Sequence, residues 1–412
     1  MRVLIVGNGG REHALAWALA ASPLATEILV APGNAGTALV ARNCAVAATD
    51  VAGLLRLAQA ERVDLVVPGG ETSLVLGLAD ACAAAGLPCC GPTQAAAQLE
   101  GSKAFTKQVA DEAGIPTARW ERFEAADEAH DFIARRGAPI VVKADGLAGG
   151  KGVVVAATEA EAVAAVDQFI AGGPVVIEEC LEGDEISLFA LCDGADAVLL
   201  GVAQDHKRVG DGDTGPNTGG MGAVSPVPGF DPGPAMDVFI RPALAAMAAR
   251  GTPFRGFLYA GLMLTADGPR LIEYNVRLGD PEAQCLLPRL RSDLLPALLA
   301  ACEGELSGIT LMLRDLASCV VVMAAPGYPE APVAGSRIGG LAHAAEVPGL
   351  HIFHAGTRSE GDAVVAAGGR VLNLVGTAPD LLTARATAYA GVDLVDWPEG
   401  FCRSDIGLRA LR

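Results

Sequence analysis

Leu271-Ile272-Glu273-Tyr274-Asn275-Val276-Arg277-Leu278-Gly279-Asp280-Pro281-Glu282 decides how the rest of the chain reads. Its first eight residues alternate by type. On a strand, Ile272, Tyr274, Val276 and Leu278 would face one way and Glu273, Asn275 and Arg277 the other. A carboxylate, an amide oxygen and a guanidinium then stand in a row, about 7 Å from one to the next. Gly279-Asp280-Pro281 closes the strand with turn chemistry. Glutamate and asparagine supply hard oxygen ligands of the kind magnesium takes, and arginine offers a planar fork to an oxyanion. A half-exposed edge strand would read the same way, so the surrounding chain has to decide.

Bulk properties narrow the classes. At 412 residues the chain has room for roughly three domains. With 51% hydrophobic and 19% charged residues it is globular, and with 4% aromatics its cores are built from Ala, Val and Leu. A net charge of −18 speaks against nucleic acid or an anionic membrane as partner, while leaving a small anionic ligand open. Ten cysteines include no C-x-x-C pair, and the adjacent Cys89 and Cys90 suit neither a zinc site nor a disulfide framework. Reduced thiols in a cytoplasmic protein are expected. The N-terminus runs directly into a strand without a signal-like segment, and no apolar run approaches the ~20 residues of a membrane span.

Strands at 2–6, 27–31 and 65–67 alternate with helices at 11–21, 51–61 and 74–85, which indicates a doubly wound parallel sheet over about residues 1–92. Gly7-Asn8-Gly9-Gly10 follows the first strand. A dinucleotide fingerprint would need glycine where Glu12 stands, which leaves a structural turn or a phosphate cradle. Ser102 is a plausible helix N-cap beside Lys103, and Phe123 to Arg136 reads as helix. Lys143 lies in the apolar strand 138–144, where an unpaired ammonium is costly. Asp145 to Gly152 is then a glycine-rich turn between two strands. It is no Walker loop, because the spacing is one residue short, Gly152 replaces the serine or threonine, and a strand follows. Glu178, Glu179 and Leu181 stand where a strand meets a loop. Asp205-His206-Lys207-Arg208 opens a loop of about 18 residues running to Gly222, long enough to be functional. Leu286 to Ala301 reads as helix, and from about residue 321 short strands make a separate β-rich unit. His351 and His354 point opposite ways on a strand and make no metal pair.

Taken together the chain resembles the glycinamide ribonucleotide synthetase family of ATP-grasp ligases. The likeness rests on Arg277 to Gln284, Gln204 to Gly222, Val6 to Ala14, Ala31 to Thr37, Leu99 to Lys103, His354 to Thr357 and Asp405 to Gly407. It implies a pre-ATP-grasp domain over 1–100, an ATP-grasp domain of two antiparallel-sheet subdomains over 101–320 with a lid at about 120–187, and a small β-rich domain over 321–412. It implies ATP as cofactor with Mg2+ or Mn2+, glycine and 5-phosphoribosylamine as substrates, and a monomer. Lys103, Lys143 and the hairpin Gly146, Gly149, Gly150, Lys151 and Gly152 would meet the phosphates. Glu178, Glu179 and Leu181 would line the adenine hinge, with Glu185 on the ribose. Glu273 and Asn275 match the metal ligands, and Arg277, Asn275 and Lys143 would serve the reacting groups. Asn8, Gly9 and Gly10 would take the ribose phosphate. Asp205, Lys207, Arg208, Pro216, Asn217, Thr218, Gly219, Gly220, Met221, Gly222, Gly279 and Asp280 complete the substrate set. Departures from the family pattern are Leu278 for phenylalanine, Gly149 for alanine, the altered loop Pro68 to Ser73, and a shortened link Ala171 to Pro174. Other ATP-grasp ligases or carboxylases, or a nucleotide-binding protein without turnover, are the competing readings.

Overall fold

The computed structural model describes residues 1–147 and 152–411. Four parallel strands form the N-terminal sheet in the order Arg42–Asn43, Glu27–Pro32, Arg2–Gly7, Leu65–Pro68. Both faces are covered, which is why Val3 to Val6 form an unbroken apolar run. Val3 and Ile5 pack with Leu15 and Leu19 of the helix Gly10–Ala20, while Leu4 and Val6 pack with Leu54 and Ala58 of the helix Val51–Ala60. The helix expected over 74–85 is two, Glu71–Val75 and Leu78–Ala84, because Gly77 between them takes φ +85°.

An eight-stranded antiparallel sheet forms the centre, in the order Gly268–Asn275, Arg255–Thr265, Asp184–Asp193, Ala197–Asp205, Gly222–Ser225, Ala317–Ala324, Arg370–Ala378, Leu350–His354. The strand Ala317–Ala324 runs through residue 320 and joins the last two strands to the central sheet. The lid ends earlier than 187, because Asp184–Asp193 pairs along its length with Arg255–Thr265 in the large sheet.

The smaller sheet orders Trp120–Phe123, Val175–Glu179, Ile140–Ala144, Val153–Ala156 and is backed by the helices Ala126–Arg136 and Glu159–Ile170. Phe123 therefore ends a strand instead of starting a helix. Leu286 to Ala301 breaks into Glu282–Leu286, a short 3-10 turn Leu287–Arg289 and Leu294–Glu303, as Pro288 would suggest. The segment 205–222 is not a plain loop. Arg208–Gly210 and Thr214–Asn217 pair as a hairpin, and Gly222 starts a fully buried strand. The hairpin is held from afar: Arg403 donates to the Arg208 carbonyl at 3.0 Å and to Asp213 at 2.9 Å, and the Gly212 amide donates to Asp405 at 2.8 Å. Among the described residues no helix is long and apolar enough to cross a membrane.

Candidate active site

The large sheet, the small sheet and the N-terminal unit enclose a cavity of about 460 Å³. Its floor is the strand Gly268–Asn275, and a bulge sets its pattern. Glu273 lies opposite Gly261 and Leu271 opposite Leu262, so Ile272 is the extra residue. Leu271 and Tyr274 go into the core beneath, while Ile272 joins Glu273 and Asn275 along the cleft, contrary to simple alternation. Leu278 is buried in another core cluster and has a packing role only.

The polar row is internally paired. The Asn275 amide nitrogen donates to Glu273 at 3.3 Å, and its oxygen accepts from Arg277 at 3.3 Å. Arg277 is clamped by Glu100 at 2.9 Å and Glu71 at 3.2 Å. Burial would raise the Glu273 carboxyl, yet Lys103, Lys207 and Lys143 hold it far below the usual carboxylate range. Against burial, Arg277 and Arg11 bring Glu71 down to about 2, whereas burial raises Glu100. Glu273 is thus an ionised oxygen donor beside an amide oxygen two residues on, and the pair fits a hard divalent cation. A cation would need the Asn275 oxygen, so its amide group would turn from its present orientation.

Facing the floor, Lys143 is 4% exposed and ion-paired to Glu178 at 2.9 Å, and its ammonium also reaches the Ile272 carbonyl at 3.4 Å. Lys107 binds the other Glu178 oxygen at 2.9 Å and donates to Thr117 at 2.7 Å. Burial, partly offset by Glu178, lowers Lys107 to about 8. Glu178 is therefore a buried countercharge shared by two lysines, a role that the hinge reading left out. Lys103 pairs with Glu273 at 3.4 Å, Glu185 with Lys207, and Glu179 with Arg270 at 3.4 Å.

The cavity brings together Lys103, Lys143, Gly146, Gly152, Glu178, Glu179, Leu181, Glu185, Asp205, Lys207, Asn217, Thr218, Gly219, Glu273, Asn275, Arg277 and Asp280. Gly149, Gly150 and Lys151 lie outside the described residues. Other expected residues do not line it, each for a physical reason. The Gly9 amide is occupied by its own Glu12 carboxylate at 2.6 Å, and a side chain on Gly10 would strike Gln284 and Asn373 at 2.4 Å. Asn8 instead offers its carbonyl to Asn34. Met221 is buried in the core, and Gly222 packs against the Val320 carbonyl. Arg208 turns to the Gly215 carbonyl across the hairpin that also carries Pro216. Gly220 lies against Pro281, and Gly279 against Glu282.

Residues with no site role in the sequence reading also line the wall, among them Arg11, Glu71, Glu100, Tyr259, Glu282 and Arg370. Glu71 had a signal, since it follows the end of a parallel strand where such sheets bind ligands. Arg370 had none. It bonds the carbonyls of Gly219, Gly220 and Asp280 and pairs with the Asp280 carboxylate at 3.2 Å, which ties the 217–220 segment to the turn after the floor strand.

Comparisons with known proteins agree along the whole chain. Family models for the phosphoribosylglycinamide synthetase N domain, ATP-grasp (A) domain and C domain match residues 1–100, 101–283 and 318–409. A Brucella melitensis protein named phosphoribosylamine–glycine ligase is 53% identical, covering 100% of this chain and 98% of its own. A Caulobacter vibrioides protein of the same name is 52% identical, with 100% and 99% covered. The crystal structure of a Thermotoga maritima protein so named superposes with a TM-score of 0.86 at 35% identity, covering 98% of this chain and 100% of that one. The biotin carboxylase domain of a Hydrogenobacter thermophilus 2-oxoglutarate carboxylase, bound to MgADP, shares the fold with a TM-score of 0.74 at 18% identity, over 97% of this chain and 91% of that one.

Proposed function

The chain belongs to the phosphoribosylglycinamide synthetase family, and on that premise we propose that it joins glycine to 5-phosphoribosylamine, converting ATP to ADP and phosphate. The ATP-grasp fold implies ATP binding, and this reading seats the nucleotide in the cleft between the two antiparallel sheets. The observation that carries the reading is the meeting of Glu273, Asn275 and Arg277 with Lys103, Lys143 and Lys207 in one cavity of a chain with full-length ligase relatives.

The chemistry asked of the protein is positioning and charge neutralisation. Phosphorylation of the glycine carboxylate gives glycyl phosphate; the amine of phosphoribosylamine then attacks its carbonyl and phosphate leaves. Lys103 and Lys143 meet the phosphates, and Glu178 holds Lys143 in place while Lys107 balances the pair. Glu179 and Leu181 border the base, and Glu185 the ribose. Glu273 and Asn275 would hold magnesium or manganese, which would supply charge neutralisation at the phosphates. Arg277, fixed by Glu71 and Glu100, faces the acyl phosphate as a preset cation. Asn217, Thr218, Gly219 and Asp280 hold the amine-bearing substrate. We also propose a cytoplasmic monomer; ten free cysteines support the reducing compartment.

ADP release tests the reading, measured with ATP and magnesium while glycine and freshly made phosphoribosylamine are added singly and together. Turnover is expected only with both. Equal rates without glycine, or with any amino acid in its place, would refute it.

A further inference from the structure

The adjacent Cys89 and Cys90 have no part in the cleft, and the fold sets each of them against another thiol. Segment 88–90 adds to the edge of the N-terminal sheet, where the Val66 amide donates to the Pro88 carbonyl and the Cys90 amide to the Val66 carbonyl, both at 2.9 Å. Neighbouring residues on a strand point to opposite faces. Cys89 packs with Val66 and Cys82 in the core under the helices Val51–Ala60 and Leu78–Ala84. Cys90, 3% exposed, goes to the other side, into the core that holds Leu298 and Ala301 of the helix Leu294–Glu303. Cys302 of that helix is half-buried and packs against the same core. Two consecutive residues of the central sheet hold the two cysteines from one side. Arg255 donates to the Cys302 carbonyl at 2.6 Å, and Gly256 lies against Cys90 and Gly91, where an added side chain would meet the Cys90 carbonyl at 3.3 Å. In this arrangement the Cys90 and Cys302 side chains are hydrogen-bonded to each other.

Cys192, opposite Gly256, belongs to the core on the other face of the central sheet. Among the described residues no group of three or more His, Cys, Asp or Glu could hold a metal ion, which leaves thiol chemistry to the pair. The two thiols differ in kind. The bond from Cys90 and the Arg255 guanidinium lower Cys302 against burial and Glu303, while the same bond and burial push Cys90 well up. Cys302 is the accessible, more readily ionised sulfur and Cys90 the sheltered one beside it, the arrangement of an attacking and a resolving thiol. We propose that Cys302 and Cys90 form a reversible disulfide when the protein meets a peroxide, stapling the N-terminal unit to the helix Leu294–Glu303. The Cys302 sulfur attacks one peroxide oxygen; the O–O bond breaks, a sulfenic acid forms, and the Cys302 proton leaves in a first water. The Cys90 sulfur then attacks the Cys302 sulfur; the S–O bond breaks, and the Cys90 proton leaves in a second water. Two electrons pass from the thiols to the peroxide, and an added dithiol reverses the bond by exchange. The staple ties the unit that supplies Arg11 and Glu71 to the cavity to a helix packed on the central sheet.

Limited hydrogen peroxide on the full chain, followed by non-reducing tryptic mapping, tests this. One cross-link is expected between peptides 63–103 and 292–314, the second of which holds Cys302 as its only cysteine. Fragmentation should place the bond at Cys90, and dithiothreitol should release it. The loop it closes is long, so oxidation should raise the melting temperature by about 5 °C. Cys90→Ser should leave Cys302 as a sulfenic acid that dimedone traps. Cys302→Ser should abolish both the cross-link and the rise in melting temperature, and it carries the test if the buried substitution does not fold. Cys192→Ala should leave the bond in place. A bond from Cys302 to Cys82 or Cys89, or oxidation of Cys302 to a sulfinic acid with Cys90 still free, would overturn the staple. So would a pair that stays reduced until the peroxide has already oxidised the methionines.

Discussion

Two glycine-rich stretches, Gly7 to Gly10 and Asn217 to Gly220, look alike in composition and do opposite work. In the first, every opening is filled. Glu12 occupies the space beside Gly7, Gly9 and Gly69, the Gly9 amide is spent on it, and Gln284 and Asn373 close over Gly10. In the second, Arg370 and the Tyr328 hydroxyl hold the backbone from one side, leaving Asn217, Thr218 and Gly219 facing the cavity. A glycine cluster thus marks close approach of the backbone to something, and only its neighbours decide whether that is protein or ligand.

The largest expected effect is on the closed turn. Gly7 takes φ +138°, and a side chain there would meet Glu12 carbons at 2.6 Å. Gly7→Ala should cost about 3 kcal/mol in denaturant unfolding, from strain plus overpacking, with normal activity per folded molecule. A variant that stays stable but loses phosphoribosylamine binding would reverse the comparison and return the turn to phosphate duty. On the open side, Arg370→Met should lower kcat/KM about 30- to 100-fold, worth roughly 2–3 kcal/mol, with a smaller change in stability. Parallel loss of stability and activity would mean that Arg370 is only a structural tie.

Acid should act on both stretches, and more on the first. Burial lowers His13 to about 3 and His354 to about 4; His13 Nδ1 accepts from the His354 amide at 2.8 Å, beside Asn34, which donates to the Asn8 carbonyl. On the second side, burial lowers His206 to about 4. These rings are neutral in the folded protein, whereas unfolded histidine binds protons below about 6.5. Their stability contribution is therefore complete above that pH and lost as pH falls toward 4. Between pH 7 and 5.5 the His13–His354 pair should cost about 2 kcal/mol, and thermal melts across that range check it. Melts independent of pH would show that both rings reach solvent. The smallest effect belongs to the latch behind the open segment. Asp405→Asn weakens the hold of Arg403, whose guanidinium nitrogens donate to both Asp405 oxygens at 2.7 and 2.8 Å, and should cost about 1 kcal/mol. Hydrogen exchange confined to 208–217 would sharpen the assignment, while exchange spread across the sheet would undo it.

Much of the cleft was legible because its signals are local. Glu273 and Asn275 project together by strand alternation, with Arg277 two residues past the strand's end at Asn275, and a lysine inside an apolar strand calls for an anion. The bulge at Ile272 was not legible, because an extra residue exists only relative to the partner strand that carries Gly261 and Leu262. The fusion of the last strands into the central sheet was hidden for the same reason, since pairing between Gly222–Ser225 and Ala317–Ala324 joins residues about a hundred positions apart.

By itself, then, the sequence determined which side chains share a face and which segments turn, because periodicity and backbone preference act over a few residues. Tertiary structure alone decided the charge state and the occupancy of the site. Arg277 acquired Glu71 and Glu100, Lys143 acquired Glu178, and Asp205 Oδ1 was left without a hydrogen-bond partner. Coulomb energy and desolvation depend on distance and burial, and for these residues the fold, not the order of the chain, sets both.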